Sequence, residues 1–347
     1  MTDLDTQTIS TVETAAHFPE AGEPQDMTII AEQSTGTLDN RAPEPLVKGV
    51  QTETKTSSDA IIGNVATEEV KFPITITTSR SGAASKRFGV VNGNMKKEAA
   101  ANIYTGILHA AKLSMGEIAT LLEEMAEVQA LIVGRYDCSR YGESIELCTA
   151  AKEKDDGEAI ARTGKNFTYP DGPALMVFDH DNATHTSDEL EVALSEIIEG
   201  IGNVASLTRG SVSSGVSFKG IDAQDILGKH HTFVGVENGV DIPRVGVVVH
   251  KRLQLKGNGG IKINKDGTTS EISLIDATVF QAERLFFEGA AVIESDKLEY
   301  ITPKCIVREG GLLDTTLIKD LTDEEEAERK RIMADLKSGK ADEIKAE

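Results

Sequence analysis

Apolar and polar residues alternate through Phe72-Pro-Ile-Thr-Ile-Thr-Thr, the period-2 pattern of a strand with one buried face. Phe88-Gly-Val-Val followed by Asn92-Gly-Asn predicts a second strand ending in a turn. From Lys97 to about Ala111, and again from Ser114 to about Gln129, apolar positions recur at helical spacing, and Ala130-Leu-Ile-Val-Gly is a short buried strand. Together these predict an α/β lobe. Residues 148–165 read as a charged connector leading into Ala159-Ile-Ala-Arg-Thr. After the turn Pro170-Asp-Gly-Pro comes the densest strand signal, Ala174-Leu-Met-Val-Phe, which runs straight into Asp179-His180-Asp181. Ser187, with Glu189 close behind, predicts the N-cap of a helix through Leu190, Leu194 and Ile198.

Further along, the Ser/Gly-rich loop Gly210-Ser-Val-Ser-Ser-Gly precedes a strand, His231-Thr-Phe-Val-Gly-Val. Arg244 to Leu255 predicts a helix. Ile261-Lys-Ile-Asn and Glu271 to Ile275 predict a hairpin closed at Lys265-Asp-Gly. The segment Asp323-Glu-Glu-Glu-Ala-Glu-Arg-Lys-Arg predicts a charged helix, either a solvated face or a linker. Residues 1–70, rich in Thr, Glu, Ser, Pro and Gln, sustain neither period. Such a segment cannot bury enough apolar surface to offset its ordering entropy, so disorder is expected there. The organisation expected is a disordered acidic segment over 1–70, one large domain over 71–320, and a charged helical tail over 321–347.

Composition adjusts this picture in three ways. Apolar residues make up 39% of the 347, enough for a core, and the absence of Trp makes that core aliphatic. The formal net charge is −21, but residues 1–70 carry −10 and residues 321–347 carry −3, so the central 250 residues keep only −8. Any contact with nucleic acid must then be a local basic groove, sensitive to salt. Cys138, Cys148 and Cys305 form no CxxC pair, which speaks against a disulfide framework or a structural zinc site. The polar, acidic N-terminus is not a signal peptide, and no apolar run approaches the about 20 residues that span a bilayer. A soluble, cytoplasmic protein with no membrane partner is expected.

Candidate chemistry sits on carboxylates. Asp179 and Asp181 are two apart at a strand end and project from one face, where like charges repel unless a cation lies between them. Hard cations such as Mg²⁺ or Mn²⁺ take oxygen ligands of this kind. The alternative for the pair is a polar turn after a strand. Asp276 follows Ile272, Leu274 and Ile275 in a strand-like run and could complete a metal site; its alternative is a helix N-cap for the segment from Ala277. His230 and His231 are candidates for holding a triphosphate, and Ser211, Ser213 and Ser214 offer hydroxyls close to backbone for phosphate. No Walker A pattern and no G-x-S-x-G elbow occurs, which removes the P-loop ATPase and serine hydrolase readings.

The order Asp-x-Asp, Ser/Gly loop and His, then Asp resembles the three-motif pattern of the archaeo-eukaryotic primase superfamily. Asp241-Ile-Pro-Arg-Val-Gly, Leu255-Lys-Gly-Asn-Gly-Gly, Asn264-Lys-Asp-Gly and above all Leu274-Ile-Asp-Ala-Thr-Val-Phe-Gln-Ala-Glu-Arg-Leu-Phe-Phe-Glu-Gly-Ala-Ala are similar to the primase-polymerase domains of phage and mobile-element replication proteins. The similarity runs from about Phe72 to about Asp314. It implies an α+β primase-polymerase fold, in which an N-terminal α/β lobe joins an RNA-recognition-like antiparallel sheet carrying the active site. It implies that Asp179, Asp181 and Asp276 bind Mg²⁺ or Mn²⁺ and that His231, or alternatively His230, contacts nucleotide phosphate with the serines and Lys265. It further implies a single-stranded DNA template, nucleoside triphosphate substrates and a helicase domain or protein as partner. Arg244, Lys251, Arg252 and Arg284 are the candidate template contacts, and Lys265 could serve there too. The expected activity is template-dependent nucleotidyl transfer. A non-catalytic nucleic-acid or nucleotide-binding module on the same fold and a metal-dependent nuclease are the alternatives.

Overall fold

In a computed structural model of the chain, residues 69–340 are described, except 101, 181–185, 221–228 and 265. The acidic segment before Glu69, Asp181 and Lys265 therefore lie outside the described residues. The first half contains β1 (Phe72–Ser79), β2 (Arg87–Val91), β3 (Asn94–Glu98), β4 (Gly106–Leu113), α1 (Met115–Glu124), β5 (Gln129–Ile132), α2 (Cys138–Tyr141), β6 (Ser144–Cys148), β7 (Ala159–Ala161), β8 (Ala174–His180) and α3 (Ser187–Ser195). There follow β9 (Ser206–Gly210), β10 (Val216–Phe218), β11 (His230–Val236), α4 (Ile242–Leu255), β12 (Gly259–Ile263), β13 (Thr269–Ser273), β14 (Leu285–Phe286), β15 (Val292–Ile293), β16 (Leu298–Tyr300), β17 (Cys305–Arg308) and α5 (Asp323–Gly339). The class is α+β, built on several mainly antiparallel sheets.

Two sheets make the body. The larger has six strands in the order β14-β5-β1-β4-β6-β7, and the second has four in the order β17-β9-β11-β8, antiparallel throughout. They share one core: Phe72, Ile74 and Leu131 of the first pack in the same cluster as Leu175, Val177 and Phe233 of the second. Helix α1 adds Ile118 and Leu122 to it. Its start follows from sequence, because the Ser114 hydroxyl accepts from the Glu117 N–H while the Glu117 carboxylate accepts from the Ser114 N–H. Helix α3 uses the same device one residue earlier than expected, with Thr186 rather than Ser187 as cap and Glu189 as its partner.

The helix expected over Lys97–Ala111 is not formed. Its ends belong to β3 and β4, and β4 is an interior strand bonded to β1 on one side and β6 on the other. Helix-favouring Ala and Lys residues yield there to a ladder along the whole of β4 with β1 and a shorter one with β6 over Gly106–His109. The turn at Asn92-Gly93 is as expected: φ is 51° and 81° at the two positions, the pair of left-handed residues that a two-residue hairpin requires. Within the supposed connector of 148–165, β7 adds to the edge of the six-stranded sheet.

Helix α4 carries the second sheet's neighbour. Asp276 ends the run after β13 and begins a 3-10 turn, Ala277–Phe280, whose Phe280 ring lies edge-on to Phe178 of β8 at 6.2 Å. That ring also fills the space where Gly246 of α4 has no side chain: a Cβ there would sit 2.2 Å from Phe280 Cγ. Replacing a mid-helix Gly by Ala ordinarily stabilises by about 1 kcal/mol. At Gly246 the sign reverses, since Phe280 must be displaced from a close-packed site, an overpacking cost of about 1–3 kcal/mol. Gly246→Ala is expected to lower the melting temperature by several degrees in thermal denaturation; a rise would show that Phe280 is not held there.

Helix α5, expected as a solvated face or a linker, keeps most of its surface in water but buries Arg329 and Met333. Arg329 bonds Gln254 of α4 (3.0 Å), Glu271 of β13 (2.7 Å) and Glu326 of its own helix (2.9 Å). Among the described residues no helix is long and apolar enough to cross a membrane. The three cysteines are half-buried and form no disulfide.

Candidate active site

One row of side chains crosses the four-stranded sheet. Asp179 of β8 stands opposite His231 of β11, His231 opposite Arg209 of β9, and Arg209 opposite Cys305 of β17. Residues in register on neighbouring strands share a face, so sequence alternation decides which of two adjacent histidines joins the row. His231 does. His230 faces the other way, its ring 4.9 Å from that of His180, whose Nδ1 lies 2.8 Å from the Leu274 carbonyl.

The row is ionic. His231 Nε2 lies 3.2 Å from Asp179 Oδ1, and its Nδ1 bonds the Glu288 carboxylate. Glu288 comes from the six-stranded side, just after β14, and is fully buried. Its second oxygen takes an ion pair with Arg209, whose Nη1 also donates to the Glu288 carbonyl at 2.9 Å and whose Nε donates to the Pro303 carbonyl at 3.3 Å. Glu288 can sit so deep because Gly289 follows it: a Cβ at Gly289 would lie 2.2 Å from the Ala126 carbonyl oxygen. The Ser85 hydroxyl donates to the Gly289 carbonyl at 2.9 Å, fixing the same backbone from the other side.

Both nitrogens of a protonated imidazole are donors, and both here face carboxylates. Burial opposes the charge on His231, but Glu288 and Asp179 outweigh it and raise its pKa to about 10. Burial likewise opposes ionisation of Glu288, and His231 and Arg209 overcome it, holding the carboxyl well below the usual range. Asp179 is also held down, by His231 and by the charge of Lys86, against its burial. The groups facing His231 are thus Asp179, Glu288 and, behind it, Arg209, with Lys86 beside Asp179.

A stability consequence follows from the raised His231 pKa. The native state holds this proton between about 6.5, the ordinary imidazole value, and about 10, whereas the unfolded chain releases it. The contribution is present in full below the lower value and is lost as pH rises through the upper one. The melting temperature is expected to fall between pH 7 and pH 10 by at least ~4 °C more in the parent than in His231→Gln. Equal slopes in the two proteins would show that His231 is neutral in the fold.

Asp179 and His231 open onto a cavity of about 420 Å³. Its other polar walls are Lys86, Asn102, Arg162 and Arg284, and Phe286 and Val279 supply apolar surface. Arg162 follows β7, donates to the Glu283 carbonyl (2.8 Å) and to Asn102 Oδ1 (3.0 Å), and keeps its Nε without a hydrogen-bond partner among the described residues. In a chain of net charge −21, three cations around one pocket are a local reversal of sign.

Asp276 lies beside this site through its backbone: its N–H donates to the Asp179 carbonyl at 2.9 Å. Its carboxylate takes the cap position, accepting from the Thr278 N–H at 2.8 Å and hydroxyl at 2.9 Å, with Arg284 Nη2 at 3.7 Å. It is therefore a cap at the start of a turn and not a strand residue. An ionised carboxylate has about four lone-pair sites, so capping leaves Asp276 able to take a further cation. Among the described residues no group of three or more His, Cys, Asp or Glu is arranged to hold a metal ion.

The remaining expected site residues are placed elsewhere. Ser211 and Ser214 are buried, the first just before the 3-10 turn Val212–Gly215 and the second within it; the Ser214 hydroxyl donates to the Ser211 carbonyl at 2.6 Å and the Ser213 hydroxyl lies 3.4 Å from that of Ser211. None of the three lines the cavity. Arg244 chelates Asp241 through two bonds of 2.7 Å and binds the Ile318 and Thr315 carbonyls, so it fastens the segment before α5. Lys251 pairs with Glu326 at 3.1 Å and Arg252 with Glu325 at 3.7 Å, joining α4 to α5. Of the candidate template contacts among the described residues, Arg244, Lys251, Arg252 and Arg284, Arg284 alone lines the cavity. Lys86, Arg162, Arg209 and Glu288 were not singled out from sequence. Glu288 does fall in the Phe-Phe-Glu-Gly stretch that carries the most specific resemblance, and an acid inside an otherwise apolar run is a signal in itself.

Comparison of the chain with known protein families, curated proteins and solved structures finds no match.

Proposed function

We propose that the protein is a template-dependent nucleotidyl transferase, a primase-polymerase whose nucleotide site is the cavity in front of Asp179 and His231. The observation that carries this reading is the pairing of chemistries there: the Asp179 carboxylate at one end, with Asp276 on the segment beside it, and Lys86, Arg162, Arg284 and His231 around the rest. A nucleoside triphosphate needs both, cationic donors for its phosphates and carboxylates to place a metal against the reacting one. The α+β class is compatible with it, and the four-stranded antiparallel sheet that carries Asp179 and His231 is the counterpart proposed for the RNA-recognition-like sheet.

The donor set suits a hard divalent cation. Asp179 and Asp276 offer carboxylate oxygens from two segments that the Asp276 N–H to Asp179 carbonyl bond brings side by side. These two would hold Mg²⁺ or Mn²⁺, with Asp181 as the expected third ligand. When bound, such an ion stabilises charge on the attacking and leaving oxygens of an in-line displacement. The chain's own groups bind and orient: Lys86, Arg162 and Arg284 take the polyphosphate, and His231 presents a donor from the sheet. Phe286 and Val279 give the cavity its apolar wall.

The test is incorporation of labelled nucleotide on primed and unprimed single-stranded templates, with Mg²⁺ and Mn²⁺ compared. Incorporation with either metal is the expected result. DNA binding without incorporation would favour the non-catalytic module, and template degradation would favour the nuclease.

A further inference from the structure

We propose that Glu288, clamped by Arg209, is a positioning residue that sets the His231 imidazole for nucleotide binding without itself touching the nucleotide. The proposal rests on the nucleotide-site reading above. Three observations carry it. First, neither Glu288 nor Arg209 lines the cavity, and each is about 1% exposed, so no ligand can reach them directly. Second, their bonds run in one direction: Arg209 grips both the side chain and the carbonyl of Glu288, and Glu288 grips His231 Nδ1. Third, the other end of that imidazole, Nε2, is the end that stands at the cavity wall beside Asp179.

The physical logic is that of an outer-shell ligand. An imidazole turns about two side-chain torsions, and a bond at Nδ1 decides both the direction of Nε2 and its state as a donor. The Asp179 contact cannot serve as the anchor, because an entering cation competes for that carboxylate and an entering phosphate competes with it for the Nε2–H. Glu288 can, because it is buried away from the cavity, on backbone fixed by Gly289 and Ser85. The aromatic rings of Phe233 and Phe286 stand edge-on to the imidazole at 6.5 and 5.8 Å and close off its sides.

The experiment uses the full chain with Glu288→Gln, His231→Gln and the double variant, and with Arg209→Lys as a second route should Glu288→Gln not fold. Two readouts are taken. Steady-state incorporation should show KM for the nucleoside triphosphate raised ~10-fold by Glu288→Gln, with kcat changed much less. The double variant should be no worse than His231→Gln alone, because residues acting through one another are not additive. The second readout needs no activity: the Nδ1–H resonance of His231, identified in nitrogen-15 histidine spectra by its loss in His231→Gln, should move in Glu288→Gln. Unchanged KM with an unmoved resonance overturns the proposal, as do additive effects in the cycle. If the parent neither incorporates nor binds nucleoside triphosphate, the nucleotide reading fails by itself. The ring resonance then still decides whether Glu288 sets His231, and an unmoved signal sinks it. Where Arg209→Lys replaces Glu288→Gln, the same pair of outcomes applies.

Discussion

Asp179→Asn and Asp276→Asn are each expected to reduce nucleotide incorporation by at least ~1,000-fold while leaving the fold and the affinity for single-stranded DNA nearly unchanged. The magnitude comes from the proposed role: a divalent cation held there would contribute several kcal/mol to the transition state, and each 1.4 kcal/mol or so is tenfold in rate. The preserved fold comes from local structure. Asn is as good an N-cap as Asp, so Asp276→Asn keeps the acceptor for the Thr278 N–H and the turn that follows. At position 179 an Asn side chain can still accept from His231 Nε2, and the backbone of Asp179 keeps its ladder with β11 and its bond from the Asp276 N–H. Only the negative charge is lost in either case. The measurement pairs incorporation rates with gel shifts and thermal denaturation of the same preparations. Variants that incorporate at the parent rate would remove Asp179 and Asp276 from the reaction.

That expectation rests on residues legible in the sequence. A dense apolar strand ending in Asp179 marked the site, and the period-2 rule left two histidines, of which register selects His231. Asp276 was legible as well, together with its alternative as a cap, and the structure shows the cap. What sequence could not supply was the wall of the cavity. Lys86 lies before β2, Arg162 after β7 and Arg284 before β14, three positions separated by the whole first lobe and brought together only by sheet pairing. No local period reports a contact of that range.

The misreadings have physical causes too. Ala and Lys around β4 carry helix propensity, but an interior strand gains a ladder on each edge, and β4 has both. Arg244, Lys251 and Arg252 look like a basic helix face, but Asp241 at the start of the same helix takes Arg244, and α5 docks Glu326 and Glu325 against Lys251 and Arg252. A cation in sequence becomes a candidate for an anionic ligand only when the fold leaves it one. Lys86 and Arg284 meet that condition better than Lys251 or Arg252 do. Lys86 carries no ion pair among the described residues, and Arg284 touches only the edge of Asp276.

The buried chain of charge from Arg209 to Asp179 carries the largest stability prediction. Glu288→Ala is expected to destabilise the protein by roughly 3–5 kcal/mol, the cost of leaving a buried ion without its partner. Two cations depend on that carboxylate, since Arg209 and His231 both bond it and both lie inside the fold. His231 can shed its proton and limit the loss, but Arg209 stays charged at any accessible pH. Its other bonds, to the Pro303 and Glu288 carbonyls, do not neutralise it. Arg209→Met combined with Glu288→Gln should therefore recover much of the stability, because an apolar side chain of similar length fills the same space and Gln still accepts from His231 Nδ1. Chemical denaturation of the single and double variants measures this directly. A Glu288→Ala protein within about 1 kcal/mol of the parent would mean that water reaches Arg209 and that the row across the sheet is not a sealed ionic core.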